Sequence, residues 1–275
     1  LSMAEKITIG VVGAGTMGRG IVQLFAQAGH AVRCFDAQAG AAEAAVQHVV
    51  GMLERSVQKG RLAADAFNRI RANISVAPDL SALAGCGVVM EAIVEDLGVK
   101  RELFRSLEAI LTDEAVLATN TSSLTVSDIA AGCARPERVA GLHFFNPVPV
   151  MGLIELIRGL ATSDATLKTV EDFGRGLGKQ IVHANDAPGF IVNRVLMPMI
   201  NEAIFALGEG VATMQDIDAG CRLGLNHPMG PITLADFIGL DTCLDIIRVL
   251  QSGTGDPKFR PAPLLVQYVE AGWVG

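Results

Sequence analysis

Between the β-branched run from Lys6 to Val12 and a stretch with Ile21, Leu24, Phe25 and Ala28 at helical spacing lies Gly13-Ala14-Gly15-Thr16-Met17-Gly18. A strand, a glycine turn and a helix in that order restrict the start of the chain to a strand–helix unit whose turn backbone can approach a ligand closely. A second strand, Ala31 to Phe35, ends in Asp36, where a carboxylate accepts hydrogen bonds from ribose hydroxyls. Free N–H groups and the helix dipole at the turn suit a pyrophosphate. The pattern therefore points to a dinucleotide held by Gly13, Gly15, Gly18 and Asp36. A carboxylate at that place repels a 2′-phosphate and favours NAD, while Arg33 keeps NADP open. The plainer alternative is a glycine turn that only packs helix on sheet.

Further strands are expected at 74–76, 88–92, 115–118, 139–143, 153–157 and 180–183, with helices over 39–59, 63–71, 99–110 and 166–176. Alternation of this kind predicts an α/β fold, a doubly wound and mostly parallel sheet covered on both faces. After Asp186 the breaker Ala187-Pro188-Gly189 is followed by helical patterns alone, over 191–207, 214–221, 232–250 and 264–270. We place a domain boundary there, giving 1–186 and a smaller all-α domain, 187–275. Pro198 should kink or split the first of these helices.

Half of the 275 residues are hydrophobic, ample for two cores, and the mean hydropathy of +0.40 comes from short apolar blocks, none of spanning length. A net charge of −7 opposes a nucleic-acid surface, although Arg55, Lys59 and Arg61 form a basic cluster suited to a small polyanion. Five scattered cysteines without a Cys-x-x-Cys pair indicate neither a disulfide framework nor a zinc site, and fit a reducing cytoplasm. His30, His48, His183 and His227 show no ligand spacing and read as surface or capping residues, so no metal is expected. Leu1-Ser2 before Met3 reads as an added leader and not as a targeting signal.

His143-Phe144-Phe145-Asn146-Pro147 precedes Glu155, which stands in the apolar run Leu153-Ile154-Glu155-Leu156-Ile157. On a buried strand an uncompensated carboxylate costs several kcal/mol, roughly, unless a partner such as a histidine faces it. The alternative is a core histidine beside a glutamate that points to solvent.

Together with Asn120-Thr121-Ser122-Ser123-Leu124, Pro188-Gly189-Phe190-Ile191-Val192-Asn193-Arg194 and His227-Pro228-Met229-Gly230-Pro231, these motifs resemble the L-3-hydroxyacyl-CoA dehydrogenases, closest to the short-chain 3-hydroxybutyryl-CoA branch. The likeness runs from Lys6 to Trp273. It implies a Rossmann-type NAD-binding domain, a helical domain for substrate binding and dimerisation, and reversible oxidation of a 3-hydroxyacyl-CoA. His143 would take the 3-hydroxyl proton, Glu155 would orient it, and Ser122 and Asn193 would complete the catalytic set. Cofactor contacts would fall on Met17, Asp36, Glu95, Lys100, Ser122 and Asn146. Lys59, with Arg55, would meet the CoA phosphates. Without the resemblance, Glu95 reads as a helix-start acid, Lys100 and Lys59 as solvated charges, Ser122 as a turn residue and Asn193 as a residue on an exposed helix face. His227 to Pro231 is expected to serve packing or loop shape. The length leaves no room for a hydratase half. The family pattern continues past Gly272-Trp273-Val274-Gly275 into a basic, aromatic tail, which leaves the last packing contacts open.

Two rivals stand beside this reading. A 3-hydroxy acid dehydrogenase acting on a free acid through a lysine is opposed by the His143 and Glu155 pair, and a non-catalytic dinucleotide-binding protein by retention of both candidates. A serine hydrolase is weaker, because neither Ser122 nor Ser123 sits in a Gly-x-Ser-x-Gly elbow.

Overall fold

The computed structural model describes residues 7–275; the expected start at Lys6 and the leader reading of Leu1-Ser2 lie outside the described residues. Two compact units meet between Asp186 and Ala187.

The first unit is built on β1 (Thr8–Val12), β2 (Ala31–Phe35), β3 (Ile74–Val76), β4 (Val88–Glu91), β5 (Val116–Thr119), β6 (Val139–Phe144), β7 (Leu153–Arg158) and β8 (Gln180–Asn185). They form one sheet in the order β3-β2-β1-β4-β5-β6-β7-β8. The first six run parallel; β7 is antiparallel to β6 and parallel to β8. The chain winds outward from β1 to β3 and returns to β4, which puts the topological switch between β1 and β4. Every residue of β4, β5 and β6 is buried, as strands covered on both faces require. The covering helices are α1 (Thr16–Gln27), α2 (Ala41–Gln58), α3 (Ala64–Ala72), α4 (Leu97–Ile110), α5 (Val126–Ala130) and α6 (Asp164–Gly176).

The core joins these layers through aromatic contacts. Phe25 of α1 meets Phe144 of β6 and Phe173 of α6 edge-on, at 5.9 and 5.0 Å between ring centroids. His30 is not the surface residue the sequence suggested: it is 4% exposed and packs 5.2 Å from the Phe173 ring, because the turn after α1 folds onto that cluster. Burial, reinforced by the Asp36 and Glu43 carboxylates, pushes the Cys34 thiol up to about 12. Iodoacetamide at about pH 8 should therefore leave Cys34 unmodified in the folded protein and modify it after denaturation, as read by peptide mass spectrometry.

Asp186 closes the first unit. Its Oδ1 and Oδ2 accept the Val126 and Ser127 amides at 2.8 and 2.7 Å, satisfying the first turn of α5.

The second unit comprises α7 (Val192–Gly208), α8 (Met214–Gly224), α9 (Pro231–Ile238), α10 (Leu240–Thr254) and α11 (Pro263–Glu270). Met197, Ile200, Ile204, Leu244, Ile247 and Leu250 form the centre of its core. Pro198 does not split α7, which runs on for ten residues beyond it, carrying the buried Ile200, Asn201, Ala203 and Ile204. The expected single helix over 232–250 is two, because Gly239 sits at φ 102°, where L side chains are strained. Asp218 accepts the Ile232 and Thr233 amides at 2.8 and 3.0 Å, so the segment ending at Pro231 forms a capped helix start.

Candidate active site

The ends of β1 and β2 make a narrow cradle. Gly13 holds φ 105°, and a Cβ there would run into the Ala92 carbonyl; a Cβ on Gly18 would run into the carbonyl of Gly13. Gly15 differs, since a Cβ on it would meet nothing within 4 Å. Protein packing does not account for its bareness, whereas close approach of a pyrophosphate does. Gly15 is also the N-cap of α1 and offers no side-chain partner to the first N–H groups, which suits an anion. Asp36 follows β2 and reaches back across the turn, accepting the Ala14 amide at 2.7 Å and the Gln38 amide at 2.8 Å. Arg33, which kept NADP open, donates to the Ala82 carbonyl at 2.6 Å. The residues present thus fit a dinucleotide whose ribose meets a carboxylate. Met17 lines the start of α1, half-buried.

On the far side of the switch, the ends of β4 and β5 carry a polar cluster. Lys100 is not a solvated charge: its side chain is 1% exposed, and Nζ lies 2.5 Å from Glu91 Oε1 and 3.1 Å from Glu95 Oε2. The first turn of α4 turns it inward, toward the two carboxylates. Glu95 Oε1 accepts from Thr121 Oγ1 at 2.5 Å, from the Ser122 and Ser123 amides at 3.1 Å each, and from Ser123 Oγ at 2.8 Å. Burial alone would raise the Glu95 carboxyl, but the Lys100 charge and the hydroxyls of Thr121 and Ser123 outweigh it and hold the group below its ordinary 4.5. A lowered carboxylate contributes stability that is present above its unfolded pKa and lost as pH falls through the folded one. Thermal stability should therefore fall below about pH 4.5, and Glu95→Gln should flatten that acid limb.

His143 and Glu155 are register partners across the antiparallel β6 and β7, so both side chains project from one face of the sheet. His143 Nδ1 lies 2.7 Å from Glu155 Oε2, with the side chains 8% and 0% exposed. The Phe145 ring sits 4.6 Å from the imidazole. The alternative of a solvent-facing glutamate is excluded by this burial. Asn120 Oδ1 accepts the Phe144 amide at 2.9 Å, which ties the loop carrying Ser122 to the strand carrying His143. Asn146 is exposed and joined to Pro147 by a cis peptide. Lys179 steadies the same loop, donating to the Val148 and Met151 carbonyls at 2.8 and 2.5 Å.

The structure therefore brings His143, Glu155, Ser122, Glu95 and Lys100 to one edge of the first unit. Asn193 belongs to the second unit, near the start of α7, and at 9% exposure is not on an exposed helix face. Arg55 and Lys59 lie exposed at the end of α2, one turn apart. Sequence reasoning missed Glu91, which ends β4 fully buried; the signal was a carboxylate in Val88-Val89-Met90-Glu91-Ala92, the same oddity that marked Glu155.

A glycine cradle at a switch point, beside a buried histidine–carboxylate pair, defines a dinucleotide-dependent dehydrogenase. The sequence pattern described as "3-hydroxyacyl-CoA dehydrogenase, NAD binding domain" matches residues 8–187, and that described as "3-hydroxyacyl-CoA dehydrogenase, C-terminal domain" matches 189–275. The chain belongs to the 3-hydroxyacyl-CoA dehydrogenase family, and its cofactor is NAD. It is 50% identical to the 3-hydroxybutyryl-CoA dehydrogenase of Bradyrhizobium diazoefficiens, over 97% of this chain and 91% of the relative. The crystal structure of the (S)-3-hydroxybutyryl-CoA dehydrogenase from Ralstonia eutropha superposes with a TM-score of 0.95 at 43% identity, over 98% and 96% of the two chains. The 3-hydroxyadipyl-CoA dehydrogenase of Escherichia coli is 40% identical over 99% of this chain and 58% of its own length.

Proposed function

We propose that this chain catalyses the reversible, NAD-dependent oxidation of a short-chain L-3-hydroxyacyl-CoA, 3-hydroxybutyryl-CoA foremost, with His143 moving the hydroxyl proton. The observation that carries this is the buried 2.7 Å contact between His143 Nδ1 and Glu155 Oε2. A charge at Glu155 in so apolar a place is compensated by an imidazole N–H, which fixes the tautomer with its lone pair on Nε2. Bound NAD supplies a hydride acceptor at its nicotinamide. His143 then takes the proton from the 3-hydroxyl as the C3–H bond gives up its electron pair, and Glu155 stabilises the imidazolium so formed. In reduction the imidazolium polarises the 3-keto oxygen and returns the proton. Ser122 and Asn193 orient the substrate oxygen, while Gly13, Gly15, Met17, Gly18, Asp36, Glu95, Lys100 and Asn146 hold the cofactor. Arg55 and Lys59 meet the CoA phosphates, for which their exposure leaves room.

The same reading includes a homodimer in the cytoplasm. Leu223, Leu225, Phe237 and Trp273 stand 80%, 62%, 76% and 64% exposed on the helical unit, apolar side chains that a second copy would cover. The five cysteines are free, as a reducing compartment keeps them, and no helix among the described residues is long and apolar enough to cross a membrane. Following NADH absorbance with acetoacetyl-CoA, longer 3-ketoacyl-CoA esters and free acetoacetate tests the proposal. Turnover is expected with the C4 thioester at the highest kcat/KM. Turnover of the free acid without the thioester would sink it.

A further inference from the structure

Glu91 has no part in the reaction as described, yet it is 0% exposed and both of its carboxylate oxygens are engaged in the polar cluster at the switch. Oε1 takes the Lys100 ammonium at 2.5 Å and the Ile93 amide at 2.7 Å; Oε2 accepts from Thr119 Oγ1 at 2.7 Å. Two chains of contacts leave it. In one, Lys100 passes from Glu91 to Glu95 Oε2 at 3.1 Å, and Glu95 Oε1 gathers the Ser122 and Ser123 amides. In the other, Thr119 Oγ1 accepts the Thr121 amide at 3.1 Å. Both end on the 120–124 loop, whose Asn120 also donates its amide to the Glu91 carbonyl at 2.9 Å and accepts that of Phe144.

Stability alone is a poor reason for such a group, because a buried ion pair contributes little beyond what packed apolar side chains would. What the arrangement does is divide one ammonium unequally between two carboxylates. With Glu91 charged, Lys100 is held on the strand side and Glu95 keeps one oxygen for the loop. Were Glu91 neutral, the full attraction of Lys100 would fall on Glu95 and draw it from the Ser122 and Ser123 amides.

We infer that Glu91 is a positioning residue: through Lys100 and Thr119 it fixes Glu95 and the 120–124 loop, and hence Ser122, for NAD binding and hydride transfer. The inference rests on the NAD-linked dehydrogenase reading above. Glu91→Gln keeps the size of the side chain and removes its charge. Fluorescence titration with NADH, at a temperature well below unfolding, should show Kd raised about tenfold, with kcat/KM for acetoacetyl-CoA lowered about 100-fold. Thr119→Val breaks the hydroxyl route without touching a charge, and should raise the NADH Kd about threefold. It decides the matter should Glu91→Gln fail to fold. A purely structural Glu91 lowers the melting temperature and leaves the Kd of the folded protein alone. Folded variants with NADH Kd and kcat within a factor of about two of wild type overturn the inference. A wild-type protein that neither binds NADH nor turns over a thioester would instead overturn the dehydrogenase reading, and the two failures are separable.

Discussion

Replacing His143 with glutamine is expected to lower kcat for acetoacetyl-CoA reduction by about 1,000-fold while leaving the NADH Kd within about twofold. Glutamine is the informative replacement because its amide can still donate to Glu155, which is 0% exposed. Alanine would remove that donor from the buried carboxylate, add a stability loss, and blur the kinetic result. Steady-state rates with NADH saturating, beside a melting curve for each variant, separate the two effects. Wild-type turnover in the glutamine variant would remove His143 from the chemistry, whatever the substrate.

Phe25→Ala should destabilise the first unit by about 3–5 kcal/mol and lower its melting temperature by about 10 °C. The ring is 0% exposed and lies edge-on to both Phe144 and Phe173. Its removal opens a cavity under α1, the helix that begins at the glycine cradle, and beside the residue that follows His143. NADH affinity should fall with stability, and Phe25→Leu should recover most of both, since it refills much of the volume. Calorimetry with and without NADH checks this; a loss under about 1 kcal/mol would mean that the three-ring contact contributes little.

How far the sequence reveals these features depends on whether the signal is local. The glycine turn, Asp36 and the strands expected at 88–92 and 139–143 are written in short runs, and the strands stand within a residue of those bounds, at Val88–Glu91 and Val139–Phe144. The pairing of His143 with Glu155 was legible because an acid amid Leu153, Ile154, Leu156 and Ile157 has to be answered by something. The direction of β7 was not legible: an apolar strand carries no mark of being parallel or antiparallel, and here it is the antiparallel register that sets the two side chains opposite each other. Glu91 escaped because Val88 to Ala92 reads as a buried strand, and an acid one place from its end passes for the edge of the following loop. The burial of Lys100, read from its own neighbourhood as a solvated charge, was not legible because its partners lie nine and five positions away and only the turn into α4 brings them together. The break at Gly239 was not legible, because the helical spacing on either side reads as one helix over 232–250, which the φ of 102° interrupts.

The clamp at Asp186 bears on how this protein can be cut. Both carboxylate oxygens are engaged by the start of α5, two residues past the 120–124 loop, so the natural end of a stand-alone cofactor-binding module lies after Asp186. A fragment ending there keeps β8 paired along Leu153–Arg158 and keeps the helix behind Ser122 capped. One ending a few residues earlier strips the outer strand and takes the acceptor from the Val126 and Ser127 amides together, so a single misplaced stop codon would damage the sheet edge and the start of α5 at once.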